Sequence, residues 1–191
     1  MKSEKLIFRE LRPQDLPKIH KISQNIWEGN DYVPEVAEEW FKDPNGYFYG
    51  GFLSSEPTNL VVFGRVEIRS KDYAWLEGGR VKEAFQQKGF GKQLTQHGID
   101  YAQSQSIQIL QYSTHTKHIG SLALAKSFGF EKVAYMALLK AKGKEIISQI
   151  KSNETINVIS RISANQVMEI FPRIESSNHS NVNLGWFYLP L

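Results

Sequence analysis

With 191 residues, of which 41% are hydrophobic and 23% charged, the chain is long enough to bury a sizeable core and has the balance of an ordered globular protein. Its formal net charge of +3 is dispersed, and no block of Lys and Arg is dense enough for a nucleic-acid or membrane-surface patch, so neither is expected as a partner. The absence of cysteine excludes a disulfide framework, a thiolate nucleophile and a Cys-ligated metal; no apolar run reaches signal-peptide or membrane-spanning length, which makes the cytoplasm the expected compartment.

Residues 5–12 (KLIFRELR) alternate apolar and polar and stop at Pro13, the pattern of a first strand. Asp15 then caps a helix whose apolar positions Leu16, Ile19, Ile22 and Ile26 recur at helical spacing. Residues 27–34 (WEGNDYVP) read as a connecting loop, with Trp27 and Trp40 expected in the core. A short helix over 35–42 is closed by the breakers of 43–46 (DPNG). Two strands over 47–53 and 59–69 flank the turn sequence SSEPT, and the face carrying Val61, Phe63, Arg65 and Glu67 is partly polar.

A further strand over 73–81 leads through 82–87 to Gly89, Phe90 and Gly91, where a helix begins with Leu94, Gly98, Tyr101 and Ala102 on one face. Residues 107–113 read as a central buried strand, and 119–128 as a short helix buried nearly all round and closed by Gly129. A last strand covers 133–140, which completes a main domain over 1–140, followed by an extension over 141–191. Within the extension, 156–162 reads as a strand, Asn165 as the cap of a helix with Val167, Met168, Ile170 and Phe171, and 176–183 as a polar loop before the apolar tail WFYLPL.

The chemistry concentrates in residues 86–92 (QQKGFGK). Backbone N–H groups at a helix start have no intrahelical partner, and glycine lets the chain approach a ligand closely, so this turn suits a pyrophosphate-like anion. It is not a Walker A loop, because Lys92 is followed by Gln93, and not a dinucleotide fingerprint, because the first glycine is missing. His115 and His118 make an incomplete ligand pair, and no metal is expected.

Gln86, Gly89 and Gly91, following a strand and opening a helix, resemble motif A of the Gcn5-related N-acetyltransferases (GNAT), and residues 121–130 (SLALAKSFGF) resemble that family's next helix with its terminal Gly-Phe. The element order from Lys5 to Lys140 is also similar. The resemblance implies an α/β (α+β) fold, with a central mixed twisted sheet flanked by helices and here a C-terminal extension. It implies acetyl-CoA as cosubstrate and a primary amine of a small molecule, an amino acid among the candidates, as acceptor. By resemblance, Gln86, Gln87, Lys88, Gly89, Phe90, Gly91 and Lys92 form the pyrophosphate turn, while the pantetheine arm passes Arg80 and Val81 and meets His118. Capping the following helix is the plainer role for His118.

Glu77, which read alone is a surface carboxylate on a strand, becomes the general base through this resemblance, with the Val81 N–H polarising the thioester carbonyl. Asp31 and Tyr32 become acceptor contacts. Arg65 is equally a bidentate clamp for an acceptor carboxylate or a solvated strand arginine. A narrower similarity, carried by NDYVP around Asp31, by Trp40, by LEGGRV and by the extension, points to the histidine N-acetyltransferase branch, although this chain is shorter. Ala125 stands where the family often has an acidic tyrosine, leaving Tyr112, Ser113 or His115 to replace it. The competing expectations are a non-catalytic acyl-CoA-binding or regulatory module and a protein N-acetyltransferase; the apolar tail makes a homodimer a further expectation.

Overall fold

The computed structural model describes residues 4–132, 181–184 and 187–190. The chain divides into two compact units, Met1–Glu131 and Lys132–Leu191. In the first, β1 (Leu6–Glu10), β2 (Gly46–Leu53), β3 (Leu60–Ile68), β4 (Tyr73–Val81) and β5 (Ile109–Gln111) form one sheet in that order. The first three pairings are antiparallel and β4–β5 is parallel, so the sheet is mixed. In the second unit, β6 (Asn181–Leu184) and β7 (Phe187–Pro190) pair as an antiparallel hairpin. Residues 181–183 are therefore strand, where their polar composition suggested loop.

Helices cover both faces of the sheet, and two apolar clusters record this. On one face, α1 (Leu16–Ser23) and α2 (Val33–Trp40) place Ile19, Ile22, Val33, Ala37 and Trp40 against Phe48, Phe52, Leu60 and Phe63. On the other, α3 (Phe90–Ser104) buries Phe90, Leu94 and Ala102 against Tyr49, Val61, Val62, Val66 and Ala74. These positions of α3 recur four or eight residues apart, which puts them on one stripe. β2 and β3 are covered on both sides and read as near-continuous apolar runs, as buried strands do. The Tyr49 hydroxyl, buried with them, donates to the Leu94 carbonyl at 3.2 Å, which avoids the cost of about 1–3 kcal/mol for an unpaired buried polar group.

Several local expectations change. Asp15 stands at the N-cap of α1 without a side-chain capping bond; it is buried, and Arg9, Lys18 and the Arg12 N–H all donate to its carboxylate. Ile26 lies beyond α1, in a 3-10 turn over Ile26–Gly29, and α2 begins at Val33, two residues early, with Pro34 in its first turn. Trp27 is 42% exposed, outside the core that Trp40 joins. The fifth strand shrinks to Ile109–Gln111 and ends the described sheet instead of lying at its centre. α4 (Ile119–Ser127) carries no buried residue, with Ile119 78% and Leu122 41% exposed. Among the described residues, Leu124 and Phe128 meet the start of α3, and the Ser121 carbonyl accepts from the Tyr112 hydroxyl. The strand expected over 133–140, the strand over 156–162 and the helix capped by Asn165 lie outside the described residues.

Candidate active site

The sheet opens between its two parallel strands. β4 and β5 pair at Tyr73↔Ile109, Ala74↔Leu110 and Trp75↔Gln111, whereas β4 continues to Val81 with only its β3 edge paired among the described residues. Arg65 lies opposite Glu77 and Phe63 opposite Arg80, so Gly78 and Gly79 face the single residue Gly64. This bulge adds a residue to β4 and bends it away from the direction of β5. Gly78 has φ +61°, and a Cβ there would lie 2.6 Å from the Trp40 ring, so both conformation and space demand glycine. Past the bulge, the Lys82 N–H donates to the Val61 carbonyl at 2.8 Å. Alternation along the strand then turns the N–H and C=O of Val81 away from β3, toward the opening. The Gln86 side-chain amide donates to that Val81 carbonyl at 3.3 Å.

The glycine turn borders the same opening. Gln87 has φ +60° and Gly89 φ +82°, and the Gly89 carbonyl takes the N–H groups of both Lys92 and Gln93 at 3.1 and 3.2 Å. The helix start leaves the Phe90 and Gly91 N–H groups outside the intrahelical ladder. Phe90 is buried and packs edge-on to Phe85, which anchors the turn, while a Cβ on Gly91 would lie 3.6 Å from Val81 and 3.8 Å from Leu124. The end of β4, the start of α3 and α4 therefore meet at Gly91. Lys88 donates to the Ala84 carbonyl at 2.8 Å, and the Lys92 ammonium lies 5.9 Å from the Phe128 ring centre. His118 occupies the N-cap position of α4 with no side-chain capping bond, 5.6 Å from the His115 ring.

On the α1/α2 side of the bulge, side chains take over. Glu77 is largely buried and bonded to Arg65, which also binds Asp43 and lies 3.8 Å from Glu67; Arg69 in turn pairs with Glu67 at 2.5 Å. Burial pushes the Glu77 carboxyl above its ordinary range, and the charge and hydrogen bond of Arg65 oppose the rise without cancelling it. Arg65 is 4% exposed, so its guanidinium holds its own carboxylates and is not offered to an incoming one. Asp31 is similarly occupied: its carboxylate, 1% exposed, takes Arg80 Nε at 3.0 Å and Nη2 at 2.6 Å. Burial raises the Asp31 carboxyl, and the bond and charge of Arg80 together with the bonds from Ser23 and the Val33 N–H more than reverse this, so it stays ionised.

Arg80 lies under aromatic rings as well, with its guanidinium carbon 4.8 Å from the Trp27 ring centre and 5.5 Å from that of Tyr32. Trp27 reaches it from a turn in which Trp27 and Glu28 both adopt left-handed backbone angles. Tyr32 sits within the fields of Arg80, Glu77 and Asp31, and burial lifts its phenol to about 12. Asp31 and Tyr32 on one hand and Arg65 and Glu77 on the other, far apart in the sequence, thus come near one another beside the bulge as two neighbouring networks. The parts missed from sequence are Asp43 and Glu67, which share Arg65 with Glu77, and Trp27, which stacks on Arg80.

A carboxylate with a raised pKa thus stands beside a split parallel strand pair, with a helix start whose first N–H groups lie outside the intrahelical ladder at the mouth of the split. The chain belongs to the acetyltransferase (GNAT) family, whose model matches residues 13–130, and it is an acyltransferase. No curated protein matches the chain. Among solved structures it is similar to AAC(6')-Iy in complex with the bisubstrate analogue CoA-S-monomethyl-acetylneamine, with a TM-score of 0.59 at 17% identity over 73% of this chain and 99% of that one. It is also similar to the ribosomal-protein-S18-alanine N-acetyltransferase from Escherichia coli, with a TM-score of 0.59 at 17% identity over 68% and 80%. A third similarity is to the aminoglycoside 6'-N-acetyltransferase AAC(6')-IG from Acinetobacter haemolyticus, with a TM-score of 0.57 at 14% identity over 71% and 98%. At these identities the likeness is one of fold. Among the described residues, no helix is long and apolar enough to cross a membrane, and no group of three potential metal ligands occurs.

Proposed function

We propose that this acetyltransferase takes its acetyl group from acetyl-CoA and passes it to the primary amine of a small cationic molecule, with Glu77 as general base. The observation that carries the proposal is the setting of Glu77: largely buried, raised in pKa, and placed on β4 beside the opening. Around it, the carboxylates Asp43, Glu67 and Glu77 face the guanidinium groups of Arg65 and Arg69, three negative charges against two positive, which favours an approaching ammonium. The Asp31–Arg80 pair adds no net charge. Because Arg65 is already held, a free amino acid finds no carboxylate clamp there, and diamines or amino sugars fit the patch better.

The residues divide the work as follows. The N–H groups of residues 87–91, with the Lys88 and Lys92 side chains beside them, suit a diphosphate, whereas the Lys92 N–H is taken by the Gly89 carbonyl; the Val81 N–H aims at the opening where a pantetheine amide or thioester carbonyl would lie. When bound, acetyl-CoA supplies an activated thioester. Glu77 removes a proton from the acceptor ammonium, directly or through one water, and its raised pKa makes it a stronger base than an exposed glutamate. Arg65 orients Glu77 and limits the rise of its pKa. Asp31 holds Arg80 under Trp27 and Tyr32, shaping the acceptor side. To test this, the protein is mixed with acetyl-CoA and a panel of diamines, amino sugars, amino acids and peptides, and thiol release is followed. Release with small di- or polycationic amines is expected. Release with peptides alone would replace the small acceptor by a protein one, and no release with any amine would overturn the proposal.

A further inference from the structure

Trp27 is held in a strained backbone that leaves its ring in solvent. Trp27 (φ 49°, ψ 45°) and Glu28 (φ 60°, ψ 33°) are consecutive left-handed residues with side chains, a costly conformation that persists only where its surroundings fix it. Here they do: the N–H and the side-chain amide of Asn30 both donate to the Trp27 carbonyl, at 3.1 and 2.9 Å. The strain does not bury the ring, which stays 42% exposed while Trp40 joins the core. Its location follows from the register of β4. Phe63 pairs with Arg80 and Arg65 with Glu77, and Phe63 packs in the α1/α2-side cluster. The extra residue at the bulge therefore sets Glu77 and Arg80, three apart in the chain, on one face, separated by about 7 Å, the rise of two strand residues. Trp27 lies over Arg80, so the indole stands beyond Glu77 along the α1/α2 face of β4.

We infer, resting on the acyl-transfer reading above, that Trp27 is a specificity-determining platform for the carbon ring of the acceptor, which makes the acceptor an amino sugar and not a linear diamine. The indole already attracts one cation, the Arg80 guanidinium, and a second cation brought to the same ring meets the repulsion of the first. Its free surface therefore suits a neutral, flat body. The C–H face of a pyranose is such a body, of a size that an indole covers. A linear diamine has no face, and carries an ammonium at each end. The two parts of an amino sugar thus find separate partners: the ring lies on Trp27, and the ammonium continues to Glu77 and its neighbouring carboxylates Asp43 and Glu67. Tyr32, whose ring centre is 6.2 Å from that of Trp27 with the planes 16° apart, packs on the α1/α2-side cluster and supports the indole. A large ring held by a fixed turn gives contact area with little freedom left to lose on binding.

The test compares two acceptors of equal charge, the methyl glycoside of a diaminohexose and 1,5-diaminopentane, on the wild type, Trp27→Ala and Trp27→Phe. The wild type is expected to prefer the diaminohexoside in kcat/KM. In Trp27→Ala that preference falls about tenfold, through KM, and Trp27→Phe, which keeps a smaller ring, recovers part of it. Should Trp27→Ala not fold, Trp27→Leu, which keeps bulk without a ring, takes its place. A second readout needs no turnover: calorimetric affinity of the diaminohexoside for the CoA-bound protein is expected to weaken by the same factor in the same variants. Equal weakening of both acceptors, as loss of the Arg80 contact alone would give, an unchanged preference, or a wild type that prefers diaminopentane overturns the platform and leaves the acetyl-CoA reading intact. Diaminohexoside binding that depends on Trp27 without thiol release keeps the platform and removes the acyl-transfer reading. Neither binding nor release removes both.

Discussion

The two sides of β4 at the opening are built from different material. Toward α3 and α4 the site is backbone: the Val81 N–H and the helix start at Phe90 and Gly91, held open by left-handed angles at Gln87 and Gly89. Toward α1 and α2 it is side chains, with Glu77, Arg65, Asp43 and Glu67 in one network and Arg80, Asp31 and Trp27 in another. A diphosphate has one shape and charge, and peptide N–H groups in a fixed turn serve it without any particular side chain. An acceptor varies between enzymes, and its recognition falls to side chains that tertiary structure assembles. The difference separates two kinds of sensitivity: the side-chain half depends on charge, the backbone half on conformation.

The strongest way to break this contrast is at Glu77. Glu77→Gln preserves shape and removes the base, and a fall in kcat/KM of about 10² to 10⁴ is expected, with binding of CoA unchanged by calorimetry. A fall of less than tenfold would take Glu77 out of the chemistry. Next in size, Arg65→Leu leaves Asp43 and Glu77 without their shared partner, and urea denaturation is expected to show a loss of about 3–5 kcal/mol. Where the variant still folds, its acid limb of kcat/KM tells more. Glu77 already titrates above the ordinary carboxylate range because of burial, and Arg65 is what pulls it down. Removing Arg65 therefore moves that limb to higher pH, and a downward shift would contradict the assignment.

Gly78→Ala tests conformation on the side-chain half. The positive φ and the Trp40 contact together predict a stability loss of about 2–3 kcal/mol, read from the same denaturation curves. Gly89→Ala is the smallest. An alanine in the left-handed region costs about 1 kcal/mol, so a several-fold weaker affinity for CoA is expected, with the KM for the amine unchanged. An amine effect as large as the coenzyme effect would dissolve the division between the halves. Acid stability supplies a control away from the site. Asp15, pulled up by burial but held at about 2 by Arg9, Lys18 and the Arg12 N–H, contributes stability present above its unfolded value of 3.8. That contribution is lost as pH falls toward about 2, and Asp15→Asn flattens this part of the curve.

The backbone half was legible because its signal is local: glycines at fixed spacing between a strand and a helix demand particular dihedrals whatever surrounds them. The first four strands and three helices were legible for the same reason, from periodicities of two and 3.6. The errors fall where burial depends on distant partners. Asp15 has the composition of a helix cap, yet Arg9 and Lys18 claim its carboxylate. The run from Ile119 reads as core, yet little of it is covered; residues 107–113 read as a central strand, yet the opening of the sheet leaves only three of them paired.

What the chain determined by itself is the fold class and the position of the glycine turn before α3, because these follow from hydrophobic period and from the conformational freedom of glycine. Only the tertiary structure decided which charges meet. Arg65 and Glu77 stand twelve residues apart, Asp31 and Arg80 forty-nine, and no local preference joins them. Sheet register sets the first pair opposite each other, and the packing of α2 beside β4 brings up the second. A buried charge must find its partner, but the fold chooses which one.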